Sequence, residues 1–310
     1  MATAYTEFTC LGQDLLANLQ TAILASSDWT RPNPATLPNL YKGVTTRGAQ
    51  MCVDLNDAAI TTSLLTLGVY RTHDGTTGVD KITRYIPTKR TTTGSLAQNY
   101  YRGVVSVGKE HLFISLEGPR PGEVNTDSTS YGSIRSYFFM NDIIPYHPSS
   151  IDTVPAVAVG GWLVNSTTSA FSNQNHNTVS SRNPANTGSW SPGKLTSLTF
   201  PLSNWSDSIG VNWTGPDGDL YLGPYVLFDD YSGIRGRLAS FFYAGFNTVS
   251  TYETAPNAGN QLITYQGKQY KLLNVTKSDS TAQMWGQFGA NPTNSGADSS
   301  RSVIVAVPVT

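Results

Sequence analysis

The segment nearest to a catalytic signature is GSWSPGKL, Gly188 to Leu195. It matches a phosphate-binding loop as far as Lys194, the residue that would reach a nucleotide's phosphates. The match fails at Leu195, where a Ser or Thr should bind magnesium. Pro192 also removes a backbone N–H from the cradle, and polar residues rather than an apolar strand lead into it. The segment is expected to be a surface turn. Ser191 and Lys194 repeat the Ser-x-x-Lys spacing of penicillin-recognising enzymes, which need that pair on a buried helix. A proline and a glycine stand between the two here, and the companion motifs are absent.

Four histidines, His73, His111, His147 and His176, lie far apart, without the short spacing zinc requires. His111 falls in a strand pattern and the others in loops or turns, so all four read as ordinary hydrogen-bonding residues. Asp217, Asp219, Asp229 and Asp230 flank the strand-like YLGPYVLF and offer oxygens for calcium or an acid pair for glycoside cleavage. GPDGD is an ordinary turn sequence, however, and the twelve-residue calcium-loop pattern is missing. Trp190, Trp205 and Trp213 cluster in polar sequence, where indoles stack on sugar rings, anchor interfaces or fill the core of intervening strands. No catalytic, cofactor-binding or metal-ligating residue is assigned. The chain is expected not to be an enzyme.

The elements that would position these residues read mostly as strands. Only 13% of the 310 residues are charged, against about 25% in a typical soluble domain. Thr, Ser, Asn and Gly replace them, a mix that favours pleated strands and turns over long amphipathic helices. The 16 Tyr, 11 Phe and 6 Trp supply enough aromatic volume for a sandwich core or for interfaces. A net charge of −1 gives no electrostatic reason to seek nucleic acid, and weak repulsion between copies eases self-association. No window approaches the ~20 apolar residues of a membrane span, and MATAYTEFTCLGQDLL has no secretory pattern. Cys10 and Cys52 read as idle buried thiols. The sequons at Asn165, Asn204, Asn212 and Asn274 follow from composition alone.

Along the chain, Leu11, Leu15, Leu19 and Ile23 recur every four residues, predicting an amphipathic helix capped by Thr9. Its stripe packs either on its own domain or on a neighbouring subunit. RPNPATLPNL at 31–40 should run extended, and Asp54 to Leu65 is a weaker helical candidate. LGVYRT and KITRYIP flank the open turn HDGTTGVD; VVSV and EHLFISLE turn at Gly108-Lys109; LITY and KQYKLLNV turn at Gln266-Gly267. The segments 117–133 and 165–193 read as long loops, VPAVAVGGWLV as a buried strand broken by its glycine pair, and SVIVAVPV as a last strand needing a partner. The expected fold is a mainly β, antiparallel, sandwich-like architecture with an N-terminal amphipathic helix and long loops. The expected organisation is a helix over 1–30 and β-rich regions over 31–150 and 151–310, divided near 148–155 or continuous.

Three phrases carry a family resemblance: HLFISLEGPRPGEV, YGSIRSYFFMNDIIPY and DLYLGPYVLFDDYSGIRGRLASFF. They resemble segments of tailed-bacteriophage virion proteins, most of all structural subunits of the tail and baseplate, over about a third of the chain. The resemblance implies a multi-copy subunit of a virion, assembled in a bacterial cytoplasm, without cofactor or active site. Its partners would be copies of itself and other virion structural proteins. Leu11, Leu15, Leu19, Ile23, Trp190, Trp213, Arg235 and Arg237 are the candidate interface residues, the two arginines through ion pairs with the carboxylates at 229–230. The alternatives are a receptor- or carbohydrate-binding module that engages host surface glycan through the Trp-bearing segment, and a glycan hydrolase using the acids.

Overall fold

The computed structural model describes residues 3–56, 64–87, 100–118, 134–146, 155–163, 178–182, 190–197, 220–229, 233–246, 262–274 and 304–310. In chain order the first strands are β1 Ala4–Leu11, β2 Trp29–Thr30, β3 Leu40–Val44, β4 Gln50–Asn56, β5 Leu64–His73 and β6 Gly78–Pro87. Then come β7 Tyr100–Gly108, β8 His111–Gly118, β9 Ile134–Asn141, β10 Ile143–Pro145 and β11 Ala156–Leu163. β12 Thr178–Arg182, β13 Trp190–Ser197, β14 Leu220–Asp229 and β15 Gly233–Phe246 follow. β16 Leu262–Tyr265, β17 Lys268–Asn274 and β18 Ile304–Pro308 complete the set. The helix α1, Leu15–Ile23, is entered through a 3-10 turn at Gly12–Asp14. The fold is mainly antiparallel β and sandwich-like, as the composition predicts.

A five-stranded sheet runs in the order β2-β3-β4-β5-β6. A thirteen-stranded sheet runs β1-β7-β8-β9-β11-β12-β13-β14-β15-β18-β17-β16, with β10 paired to β15 beside this path. The long sheet folds over itself, so the protein has three layers. In the middle layer, Val105, Val107, Leu112, Ile114, Phe138 and Met140 face the five-stranded sheet and α1. Their chain neighbours Val104, Phe113, Tyr137 and Phe139 face the opposite way, onto Tyr225, Leu227, Phe241, Leu273 and Val305 of the outer layer. Strands covered on both faces need apolar residues at both parities. This is why LFISL and YFFM read as near-continuous runs, where a half-exposed strand alternates with polar residues.

Three of the predicted turns are present. Tyr265 pairs with Lys268 around Gln266-Gly267, both with φ near +50 to +75°, the left-handed pair that a two-residue hairpin requires. His73 pairs with Gly78, and Asp74 Oδ1 accepts both the Thr76 and Thr77 N–H groups at 2.7 Å to close the loop between them. The β7–β8 turn falls one residue later than predicted, at Lys109-Glu110, because Gly108 itself pairs with His111.

Several expectations are corrected. The N-terminal helix starts at Leu15; Thr9 and Leu11 belong to β1, which pairs with β7 along its whole length. Residues 31–40 form turns held by Leu37 N–H to Asn33 O and Leu40 N–H to Leu37 O, so they are not extended. Asp54 to Asn56 and Leu64 to Leu65 are strand in β4 and β5, so the second helical candidate fails at both ends. Gly160-Gly161 does not break its strand: both residues stay in register with Tyr137 and Ser136. Within 165–193, β12 and the start of β13 replace part of the expected loop. Of 117–133, the residues after Gly118 lie outside the described residues, as does most of 148–155. β9 and β11, on either side of 148–155, are direct neighbours in one sheet.

One glycine is set by packing. A Cβ on Gly103 would lie 2.1 Å from the Phe8 ring, which crosses the strand over its partner position. At the centre of the inter-layer core, Phe241 makes edge-to-face contacts with Phe113 at 5.7 Å and Phe139 at 5.2 Å between centroids. Truncating that ring leaves a cavity that the two packed β-layers cannot collapse into. Phe241→Ala is expected to lower unfolding free energy by about 3–5 kcal/mol in chemical denaturation, against less than about 1.5 kcal/mol for Phe241→Leu.

Candidate functional site

β9 ends at Asn141, and Asp142 carries the chain from the middle layer into β10 of the outer layer. This corner gathers polar groups from all three layers. Asn141 Oδ1 accepts the Ala239 N–H at 2.8 Å and the Ser240 N–H at 3.3 Å, both from β15. The Asp142 N–H donates to Glu110 O at 2.8 Å in the β7–β8 turn. Asp142 Oδ1 accepts the Ile143 N–H, and its carboxylate receives the Arg47 guanidinium in a forked pair, Nε to Oδ2 at 3.0 Å. Arg47 stands on the β3–β4 turn of the five-stranded sheet. The Asp142 side chain is 3% exposed.

A second polar link sits one turn away. Ser106 Oγ donates to Pro308 O at 2.6 Å, fastening β18 to β7 across the layers. That commits the serine proton, so His111 Nε2 at 2.9 Å donates to the same oxygen. His111 is 2% exposed, and its ring meets Phe241 edge-on. Burial, with a smaller push from the Lys268 charge, takes its pKa from 6.5 down to about 3. It is neutral at physiological pH.

Above His111 opens a cleft of about 260 Å³ where the turns of the three layers converge. Lys109 and Glu110 come from the β7–β8 turn, Thr46 from the β3–β4 turn, Ser240 from β15, and Lys268 and Tyr270 from β17. Glu110 Oε1 is engaged by the N–H and hydroxyl of Thr46. Among the described residues neither Lys109 nor Lys268 has a carboxylate partner. The β17 side of the same layer junction is closed lower down by Glu7. Burial would raise that carboxyl, but the Tyr5 hydroxyl, Lys271 and Arg102 around it outweigh burial and hold its pKa below the usual value.

The arrangement is not that of an activated nucleophile. A serine attacks when its proton can pass to histidine. Here the proton points at a carbonyl, and the imidazole gives a proton to the serine oxygen. Cys10 and Cys52 are both buried and unbridged, with burial pushing each thiol up to about 11, far from thiolate chemistry. Among the described residues no group of three His, Cys, Asp or Glu is placed to hold a metal ion. His73 ends β5, where the sequence reading put a loop, and its Nδ1 accepts the Gly75 N–H at 3.0 Å.

Of the candidate interface residues, Leu15, Leu19 and Ile23 are buried in the chain's own core, so the α1 stripe is taken by its own domain and is not free for a neighbour. Leu11 is half-buried at the end of β1. Arg237 is half-buried in β15, opposite Ile144 and Val226. Arg235 lies on the same strand and Trp190 begins β13, while Trp205, Trp213, Asp217, Asp219 and Asp230 lie outside the described residues. Ser191 to Leu195 are strand, paired through Ser191, Pro192 and Gly193 with β12, so the supposed phosphate loop is neither a cradle nor a turn. The cleft itself was missed. Its ten lining residues come from six separate segments, and only the predicted turns beside Lys109 and Lys268 lie near it in the sequence.

This site stands on a mainly antiparallel β-sandwich, a class defined by its layers rather than by an activity. No protein-family model and no curated protein matches the sequence.

Two measurements test the junction. Arg47→Ala leaves the Asp142 carboxylate buried without its cation and is expected to cost about 3 kcal/mol, with Arg47→Lys recovering only part because the fork is lost. A histidine that stays neutral when folded but ionises when unfolded opposes folding in acid. The His111 contribution to stability is therefore expected to be level above pH 6.5 and to fall from there toward pH 3 by up to ~1.4 kcal/mol per pH unit. His111→Gln should flatten that slope in denaturation curves at stepped pH, and an unchanged slope would place the acid sensitivity elsewhere.

Proposed function

We propose that this chain is a structural subunit of a tailed-bacteriophage particle, of the tail, baseplate or neck, acting through contacts with copies of itself and with other virion proteins. The observation that carries the reading is the way its polar groups and edges are distributed. Ser106, Asp142 and Arg47 hold layers together, His111 braces Ser106, and none is poised to transform a substrate. Strand edges, in contrast, stay open among the described residues. Among the described residues the ten-residue β6 is hydrogen-bonded on one side only, and so are β1 and β16 at the ends of the long sheet.

An unpaired edge is a template for another chain. The start of β6 is blunted by Asp80, held at φ 50°, and by Lys81 over the Tyr70 ring, which leaves the stretch from Ile82 onward as the pairing surface. The phage resemblance of HLFISLEGPRPGEV and its companion phrases supplies the kind of particle. Low charge lets copies approach without strong repulsion.

Mass spectrometry of purified particles, with copies counted, is expected to find the chain in fixed stoichiometry, and sedimentation of the isolated protein to find discrete oligomers. A stable monomer absent from purified virions would overturn the proposal.

A further inference from the structure

The cleft above His111 has a composition that assembly does not explain. Its net charge is positive: Lys109 and Lys268 enter from opposite layers, and Glu110, the acid beside them, is already bonded to Thr46. Two hydroxyl-bearing residues line the same space, Ser240 of β15 and Tyr270 of β17. We propose that this cleft is a binding site for a small oxyanion, a phosphate group carried free or on an ester, held between the Lys109 and Lys268 ammonium groups.

The volume sets the class. At about 260 Å³ the cleft lies just below the ~300 Å³ lower end of sites for drug-sized molecules, so it takes one compact group and no extended polymer backbone. The donors set the chemistry. Carboxylates are best matched by the planar fork of arginine, whereas lysine acts as a point charge and is a common phosphate ligand. Two ammonium groups and two hydroxyls approaching from several directions suit a tetrahedral anion. Exposed Lys268 and buried His111 both line the cleft, and the Lys268 charge adds to burial in keeping the His111 ring neutral. The neutral ring leaves the lysine charges uncompensated without adding a buried cation.

The walls are preorganised. Lys109 and Glu110 form a two-residue hairpin turn closed by the Gly108–His111 pair, and Ser240 is fixed by the Asn141 contact to its N–H. Rigid donors lose little freedom on binding. The site is independent of the assembly reading, since nothing in it requires a second copy.

The test is calorimetric titration of the whole chain with inorganic phosphate and, separately, with glycerol phosphate, at low ionic strength. Saturable binding of both is expected, weakened at least about tenfold by Lys268→Ala and by Lys109→Ala, with unaltered thermal unfolding in both variants. Binding of glycerol phosphate alone would identify the ester as the ligand form, and binding of inorganic phosphate alone the free anion. Equal affinity for acetate would make the site a general anion hole and overturn the assignment to phosphate. Absence of saturation, or binding unchanged in Lys109→Gln, Lys268→Gln and their double variant, would overturn the site altogether.

Discussion

The three-layer arrangement rests on the corner at Asn141-Asp142. A β-strand that leaves one sheet for another must abandon its ladder, and each abandoned backbone group needs a new partner inside the protein. Here the side chains of the two corner residues supply them. Asn141 caps two N–H groups of β15, and Asp142 caps the N–H of Ile143. The carboxylate that does this is buried, so it in turn requires the forked Arg47 from the third layer. The ion pair thus follows from the change of layer. It also explains why a residue from the β3–β4 turn decides how the five-stranded sheet docks on the middle layer.

Much of the β architecture was legible because turns and strands carry local chemistry. Gln266-Gly267 must take left-handed backbone, Asp74 folds back on its own loop, and apolar alternation marks Leu112, Ile114 and Leu116. The second face of those strands was harder to see. Val104 and Phe113 lie between the alternating positions, and only another layer explains why they are apolar too. Local patterns cannot say that a sheet returns to cover itself.

The misreadings have a common cause. Leu11 stands four residues before Leu15, so a helical stripe extends backward by coincidence, although AYTEFTCL alternates with period two: Phe8 and Cys10 go to one core while Tyr5 faces the other. Ladder pairing with β7 then outweighs the marginal gain from one more helical turn. In β12 and the first half of β13, before the strand-like KLTS, the side chains carry no strand signal, and hydrogen bonds to β11 and between the two strands impose the conformation. The polar links were illegible for a different reason. Ser106 and Pro308 are 202 residues apart, and nothing near either announces the other.

Scarcity of charge gives the remaining charges their meaning. With 41 Lys, Arg, Asp and Glu residues in the whole chain, an ordinary solvated surface is not what most of the placed ones form. Arg47 meets Asp142, Arg71 meets Asp80, and Arg102 and Lys271 converge on Glu7; each pair or cluster bridges separate strands or layers. Lys42 donates to the His73 carbonyl and Lys81 covers a tyrosine ring. Against that pattern, Lys109 and Lys268 line one concavity with no ion pair among the described residues, the Glu110 carboxylate beside them being bonded to Thr46. A fold that ties Arg47, Asp142, Arg102, Lys271 and Glu7 into contacts between strands and layers leaves Lys109 and Lys268 without an ion pair among the described residues, so an anion entering the cleft meets charge that no such contact has used.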